Sequence, residues 1–592
     1  METNLSTELS PLSQNWTSTQ RFDVTALCVR TVTNRLWTND AAELEWKKKF
    51  IASIFMHFAV DDVKEQDVLL SMPGENNDTL SFINLIKSNF VESEDDNNEQ
   101  KKDIRQEIVF DLLLVCLGLV QNNTNNSIDS NHKRLNLKER LNKVISDVKG
   151  EEITDTLLTS NISTSQVMEL GEYDSRARAI LFEIAKSIDV PVNIILGLEK
   201  VIAQHIYFFQ HKGQHESTND NNDDEIDSNI KELQNSAKAS LTIHEKEKKK
   251  WHWMATGVGV VVGATAIGLT GGLAAPFVAA GIGAITGVGV VTAAASSVVL
   301  VTSLFGIAGG GLAGYKMHKR TQGLKEFGFT RIVQDDSIPL IPSLHVNIVI
   351  SGYLLSGSDD GVIKPWLPTF ENTSNYSDTF ALSFDTEIIR SLGRAFHRFL
   401  AEQAVKVAAS QAIKQTVFAT LASALLIPAA LMKAGDLIDN PWALGVDRAH
   451  KAGLVLADVL IEGVQGKRPT VLIGFSLGAL VIWSCLRELA KREKYGLIDS
   501  VIIIGAPIDS ASPKWEKVIS VVSRRFVNGY ATNDVVLGLI YRMHSLDLNV
   551  AGLGAVNFDR VENYDLTKFT DGHLGYCNPE AMEAILQEIG LN

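Results

Sequence analysis

Thr470-Val471-Leu472-Ile473-Gly474-Phe475-Ser476-Leu477-Gly478-Ala479 changes character twice in a short span. Its first four residues are β-branched or large and apolar, the pattern of a buried strand, and Ala479-Leu480-Val481-Ile482-Trp483 opens a helix. Between the two lies a sharp turn, Gly474-Phe475-Ser476-Leu477-Gly478. A serine at the tip of a strained strand-to-helix turn needs neighbours without bulk two positions before and after it, and Gly474 and Gly478 stand there. The turn sets Ser476 at a helix N-terminus, where free N–H groups and the helix dipole favour the negative charge that develops in acyl transfer. Ser476 is therefore the candidate nucleophile, and the Leu477 N–H is the first candidate oxyanion donor. G-x-S-x-G alone is a common pattern of common residues. Its strand-turn-helix setting carries the inference against the competing reading, a turn that merely contains serine.

Upstream, Leu344 to Ile350 has the composition of a strand and is followed by the small-residue loop Ser351-Gly352-Tyr353-Leu354-Leu355. In a parallel sheet, a loop at the carboxyl end of a strand beside the nucleophile strand can aim an N–H into the site. Tyr353 N–H is the second candidate donor, with Leu354 N–H as the alternative. Phe380 to Phe384 is a further strand, and Thr386 to Gly393 starts a helix. Glu402 to Met432 is Ala-rich, uncharged from Thr416 onward and interrupted by Pro428; Asp439-Asn440-Pro441-Trp442 follows as a turn by its Asn-Pro step. The insertion at about 395–450 is expected to form a cap or lid.

Downstream, Ser500 to Ile504 and Arg525 to Tyr530 are buried strands, and the second runs out into Asn533-Asp534. Thr570-Asp571-Gly572-His573-Leu574-Gly575 then places a histidine in a Gly-flanked loop before a last helix, Pro579 to Ile589. Ser476, Asp534, His573 is the chain order of an α/β-hydrolase triad. Neutral His573 would take the serine proton and return it to the leaving group, while Asp534 orients the imidazole and stabilises its cation. Asp509 is the rival acid and His544 the rival base. Residues 323–592 are thus expected to form an α/β-hydrolase fold, a mostly parallel sheet with helices on both faces.

The chain of 592 residues is too long for a single core. Its formal charge of −15 is concentrated in polar runs such as Glu92-Ser93-Glu94-Asp95-Asp96, which argues against a nucleic-acid partner. The four cysteines are scattered without C-x-x-C spacing, and no secretory apolar stretch follows Met1, so the bulk of the protein is expected to face the cytosol. No cofactor or metal site is indicated. Residues 1–245 form a helical module, with helices expected over Ala41 to Val60, Ile104 to Val120, Ala177 to Ile188 and Pro191 to Phe208. The tracts Pro73 to Lys102 and Gln121 to His132 are too polar to order themselves.

Within 246–322 the chemistry changes abruptly. Met254 to Tyr315 holds no charged residue, far longer than the roughly 20 residues of one bilayer crossing. Gly259-x-x-x-Gly263, Gly283-x-x-x-Gly287 and Gly310-x-x-x-Gly314 have the spacing that lets helices approach closely. Lys248-Lys249-Lys250 before the segment and Lys316, Lys319 and Arg320 after it place both ends on the cytosolic side, so an even number of crossings is expected. A hydrophobic hairpin buried in the protein or lying on a surface is the alternative.

Between Tyr173 and Tyr576 the chain resembles the eukaryotic transmembrane and coiled-coil domain-containing proteins of the fourth kind and their fungal relatives, a domain of unknown function with lipase-like members. The resemblance rests on Thr270-Gly271-Gly272-Leu273-Ala274-Ala275-Pro276, Thr302-Ser303-Leu304-Phe305-Gly306, Gly314-Tyr315-Lys316-Met317, Ile438-Asp439-Asn440-Pro441-Trp442, Gly474-Phe475-Ser476-Leu477-Gly478-Ala479 and Asn533-Asp534-x-Val536-Leu537. It implies a hydrolase fold and membrane association. The expected function is a membrane-associated serine hydrolase acting on acyl esters, with membrane lipid as substrate and surface, on an endomembrane such as the Golgi. A trafficking or membrane-scaffold protein, with protein partners and a hydrolase fold used only for binding, is the second reading. A soluble peptidase or thioesterase would need the apolar segment buried.

Overall fold

The computed structural model describes residues 11–38, 40–71, 82–84, 86, 104–119, 172–215, 324–332, 343–355, 359–373, 377–409, 428–544 and 549–591. The chain divides into two compact units, Met1–Thr270 with Asp335–Leu344, and Gly271–Gln334 with His345–Asn592. Met254 to Tyr315 and the polar tract Gln121 to His132 lie outside the described residues, as does nearly all of Pro73 to Lys102. Among the described residues no helix is long and apolar enough to cross a membrane.

The first unit is helical: α1 (Ser18–Asn34), α2 (Ala41–His57), α3 (Val63–Ser71), α4 (Ile104–Cys116), α5 (Ser175–Ser187) and α6 (Val192–His215). Side chains cap the starts. Thr17 and Gln20 form a capping box on α1, Asp40 accepts the Glu43 N–H, and Asp174 accepts the Arg176 N–H. Val24, Phe50, Phe55, Leu112, Leu113 and Ile180 belong to its core. Within it, Arg178 holds Glu199 at 2.7 Å, and the Tyr173 hydroxyl donates to the same carboxylate at 2.8 Å.

The second unit is built on a seven-stranded sheet with the order β1-β3-β2-β4-β5-β6-β7: β1 (Phe327–Arg331), β2 (Val346–Ile350), β3 (Asp378–Phe384), β4 (Thr470–Phe475), β5 (Ile498–Ile504), β6 (Val522–Tyr530) and β7 (Val561–Asp565). β1 runs antiparallel to β3, and the other pairings are parallel. The central strands β2, β4 and β5 are buried at every residue, as near-continuous apolar runs require. Their register aligns Ile350 with Gly474 and Phe475 with Ile504, so the loops after β2, β4 and β5 leave the sheet side by side.

Among the described residues, seven further helices accompany the sheet: α7 (Leu367–Thr373), α8 (Thr386–Ala409), α9 (Pro428–Ile461), α10 (Leu477–Lys491), α11 (Trp515–Ser520), α12 (Val535–His544) and α13 (Pro579–Ile589). The long helices α8 and α9 pack on each other, and α9 packs on α10. Residues 410–427, which hold most of the uncharged stretch of the expected lid, lie outside the described residues.

One local expectation fails. Asp439-Asn440-Pro441-Trp442 is no turn, for Pro441 sits inside α9. Proline removes one intrahelical hydrogen bond, and burial of Trp442 on the Phe396 ring offsets that loss. Two edge strands, β1 and β7, were not apparent in the sequence. Phe-Gly-Phe-Thr-Arg carries a glycine at its second position, and Val-Glu-Asn-Tyr-Asp has no fully buried residue.

Candidate active site

Ser476 follows β4 directly and caps α10 with φ 53° and ψ −124°. That left-handed conformation costs a non-glycine residue about 1–3 kcal/mol and persists only where the surroundings enforce it. The flanking glycines do so by close contact. A Cβ on Gly478 would stand 2.1 Å from the Ile350 carbonyl oxygen on β2, and one on Gly474 would stand 2.8 Å from the Gly478 backbone. The Ser476 N–H donates to the Ile504 carbonyl at 2.9 Å, which ties the turn to the end of β5.

Three candidate side chains from distant parts of the chain meet here. The Ser476 Oγ lies 2.7 Å from His573 Nε2, and His573 Nδ1 lies 2.7 Å from Asp534 Oδ2. With the imidazole proton on Nδ1, as the carboxylate requires, the serine hydroxyl donates to Nε2. The other Asp534 oxygen accepts the Leu537 N–H at 3.0 Å, and the Tyr576 hydroxyl donates to Oδ2 at 3.4 Å. All three members of the relay are buried, Ser476 completely. Asn533 Nδ2 reaches the Thr570 carbonyl at 2.9 Å and so binds the loop of the acid to the loop of the base.

The rival acid stands apart from this relay. Asp509 is exposed and turns its Oδ1 to the Ala511 N–H at 2.9 Å. His544 ends α12, and its side chain lies outside the described residues.

The loop after β2 presses against the nucleophile turn. A Cβ on Gly352 would stand 2.2 Å from the Phe475 carbonyl oxygen and 2.3 Å from the Leu477 nitrogen. Only glycine allows this approach, which sets the loop that carries Tyr353 against the start of α10. The alternative donor is spent elsewhere, because Leu354 N–H donates to the Ile389 carbonyl at 3.2 Å.

Three aromatic side chains that motif spacing did not single out enclose the imidazole. Tyr353 stacks on it at 5.3 Å between ring centres, while Phe396 at 5.3 Å and Tyr576 at 5.6 Å meet it edge to face. Burial pushes the phenols of Tyr353 and Tyr576 well above the usual tyrosine range, so both remain hydroxyl donors. Phe396 and Trp442, packed at 6.4 Å, bring α8 and α9 over the site. A hydroxyl, an imidazole and a carboxylate in series at the start of a helix can generate an alkoxide-like nucleophile and receive an oxyanion. Among the described residues no cluster of metal-ligating side chains is found.

The family model described as "Protein of unknown function (DUF726)" matches residues 248–592, more than half of the chain. The chain belongs to this family. Its match includes Ser476, Asp534 and His573 and leaves out α1 to α6 of the first unit. Among curated proteins, the chain is 37% identical to the transmembrane and coiled-coil domain-containing protein STS1 of Oryza sativa over 58% of this chain and 54% of that one. It is 33% identical to an uncharacterized membrane protein of Schizosaccharomyces pombe over 69% of this chain and 68% of that one. It is 31% identical to the "Probable lipase MIL1" of Saccharomyces cerevisiae, over 72% of this chain and 37% of that one. The chain thus spans about half the length of the rice relative and little more than a third of the yeast one. No solved structure matches it.

Proposed function

We propose that this DUF726 chain is a serine hydrolase of the α/β-hydrolase fold that cleaves acyl esters of membrane lipids. The observation that carries the reading is the relay from Ser476 through His573 to Asp534, with both hydrogen bonds at 2.7 Å, on a serine held at φ 53°. Ser476 Oγ attacks the acyl carbon while its proton passes to His573 Nε2, and the Leu477 and Tyr353 N–H groups receive the oxyanion. The bond to the alcohol then breaks, and the imidazolium returns its proton to the departing oxygen. Water next gives a proton to His573 and attacks the acyl-serine, and the imidazolium protonates Ser476 Oγ as the fatty acid leaves. Asp534 holds Nδ1 protonated throughout.

The lipid class is supported by the apolar cover of Phe396 and Trp442, by relatives named as membrane proteins, and by the one named a probable lipase. In this reading the uncharged segment within 246–322 holds the enzyme to the membrane, with its basic flanks and the hydrolase unit on the cytosolic side.

Fluorophosphonate labelling tests the reading, since only an activated hydroxyl reacts. Wild type is expected to label, and Ser476→Ala and His573→Ala are not; equal labelling of Ser476→Ala refutes the assignment. One observation favours a second reading. Ser476 is completely buried, as it would be in a binding module that no longer turns over, and a wild type that stays unlabelled in the presence of lipid vesicles would select that reading.

A further inference from the structure

We propose that Tyr353 is a positioning residue whose phenol sets the imidazole of His573 and whose backbone ties the oxyanion loop to the same clamp. The inference rests on the serine-hydrolase reading and goes beyond the N–H of Tyr353, which that reading already uses.

The Tyr353 hydroxyl donates to the main-chain carbonyl of His573 across 220 residues of sequence. Its ring lies over the imidazole at 5.3 Å and 25°. Phe396 meets the same imidazole at 90°, so the ring is held by two faces that do not slide together. A return bond runs the other way, from Cys577 Sγ to the Tyr353 carbonyl at 3.6 Å. Cys577 ends the short helix His573–Cys577, so the histidine segment and the oxyanion loop grip each other at two points.

The return bond acts on the peptide group that joins Tyr353 to Leu354. Its carbonyl is held by Cys577 and its N–H by the Ile389 carbonyl, so that plane is fixed from both sides. The next peptide group back carries the Tyr353 N–H, and Gly352 before it lies too close to the Leu477 nitrogen to admit a side chain. Both clamp donors keep their protons in the working range. Burial pushes the Cys577 thiol up to about 12 and raises the phenol of the fully buried Tyr353.

The imidazole must serve Ser476 Oγ and then the departing oxygen, which stand in different places. A carbonyl anchor at its own backbone and a ring against its face allow that small motion and resist a larger one. Loss of the hydroxyl alone should therefore slow the chemical steps and leave substrate binding intact.

The test uses the full chain with p-nitrophenyl butyrate. Tyr353→Phe keeps the ring and the N–H, and is expected to lower kcat by about 10²-fold with KM unchanged. In a His573→Ala background the same change is expected to do nothing further, because groups that act as one unit are not additive. Cys577→Ser, which retains a donor, is expected to keep the wild-type rate, whereas Cys577→Ala loses part of it. A Tyr353→Phe enzyme as fast as wild type overturns the proposal, as does an equal loss in the His573→Ala background. Should Tyr353→Phe fail to fold, equal rates for Cys577→Ser and Cys577→Ala overturn it instead. Fluorophosphonate labelling separates the two levels: label retained by Ser476→Ala removes the hydrolase reading itself, while label lost there with Tyr353→Phe unimpaired removes only the positioning role.

Discussion

Two buried carboxylates of the sheet unit, Asp378 and Asp534, keep opposite company. At the amino ends, Asp378 opens β3 between Arg331 at 2.8 Å and Arg468 at 2.5 Å, and Asp499 near the start of β5 is held by Arg524 at 2.8 Å and the Ser500 hydroxyl at 2.8 Å. At the carboxyl ends, Asp534 has an imidazole, a backbone N–H and a long phenol contact. Burial is alike, for Asp378 and Asp534 are each 1% exposed. The difference is the partner. A guanidinium does not give up its proton, so the amino-end pairs are fixed ion pairs that hold strands together. An imidazole can take up and release a proton, so the pair of Asp534 and His573 can follow a proton to and from Ser476. Burial of an acid does not by itself mark a reactive site.

The sharpest break between the ends is a pair of substitutions. Asp534→Asn is expected to keep the fold and to lower kcat by up to about 10⁴-fold, since the amide leaves the imidazole in the wrong tautomer. Asp378→Ala is expected to do the reverse. It removes the buried carboxylate that pairs with Arg468 and should cost about 3–5 kcal/mol in urea unfolding, with the specific activity of the folded fraction unchanged. If Asp378→Ala slows the folded enzyme, or Asp534→Asn unfolds it, the division between a structural and a reactive carboxylate does not hold.

Gly352→Ala probes the carboxyl end with less force. The new methyl must move the loop away from Phe475 and Leu477, which takes the Tyr353 N–H out of reach of an oxyanion. A kcat loss of about 10²- to 10³-fold is the expected size for one lost donor. Wild-type kcat in Gly352→Ala would exclude the loop after β2 from the site.

The carboxyl end was the legible one. Strand, glycine, serine, glycine and helix are contiguous, so Ser476 and Leu477 follow from local sterics, and counting strands past the serine reaches Asp534 before His573. Asp509 could be set aside only in three dimensions, where its carboxylate caps its own turn. The Tyr353 side chain was invisible because its partner lies 220 residues away. The Asn-Pro step of α9 misled because turn chemistry is local, whereas burial of Trp442 is not. The ion pairs of the amino end were equally hidden, since Asp378, Arg331 and Arg468 sit far apart in the chain and share no motif.

Tyr576 gives the smallest and finest test of the comparison. Its hydroxyl stands 3.4 Å from Asp534 Oδ2, against 2.7 Å for the imidazole nitrogen on the same oxygen, so it is a secondary support. Tyr576→Phe should cost only about 0.5–1.5 kcal/mol, a few-fold in turnover. A loss as large as that of Asp534→Asn would mean that the acid is held mainly by the phenol. The pH dependence supplies an independent readout. Burial first, and the nearby Asp534 second, raise the Tyr576 pKa above the value of about 10 that the unfolded chain shows. Below that pH both states hold the proton and the contribution to stability is complete. Above it the unfolded chain releases the proton while the folded chain keeps it, so stability falls as the pH rises. Removing the hydroxyl removes this group's share of the fall. Urea unfolding at pH 9 and pH 11 should therefore show a shallower alkaline loss in Tyr576→Phe than in wild type, and identical losses would mean that the phenol is not held protonated in the folded site.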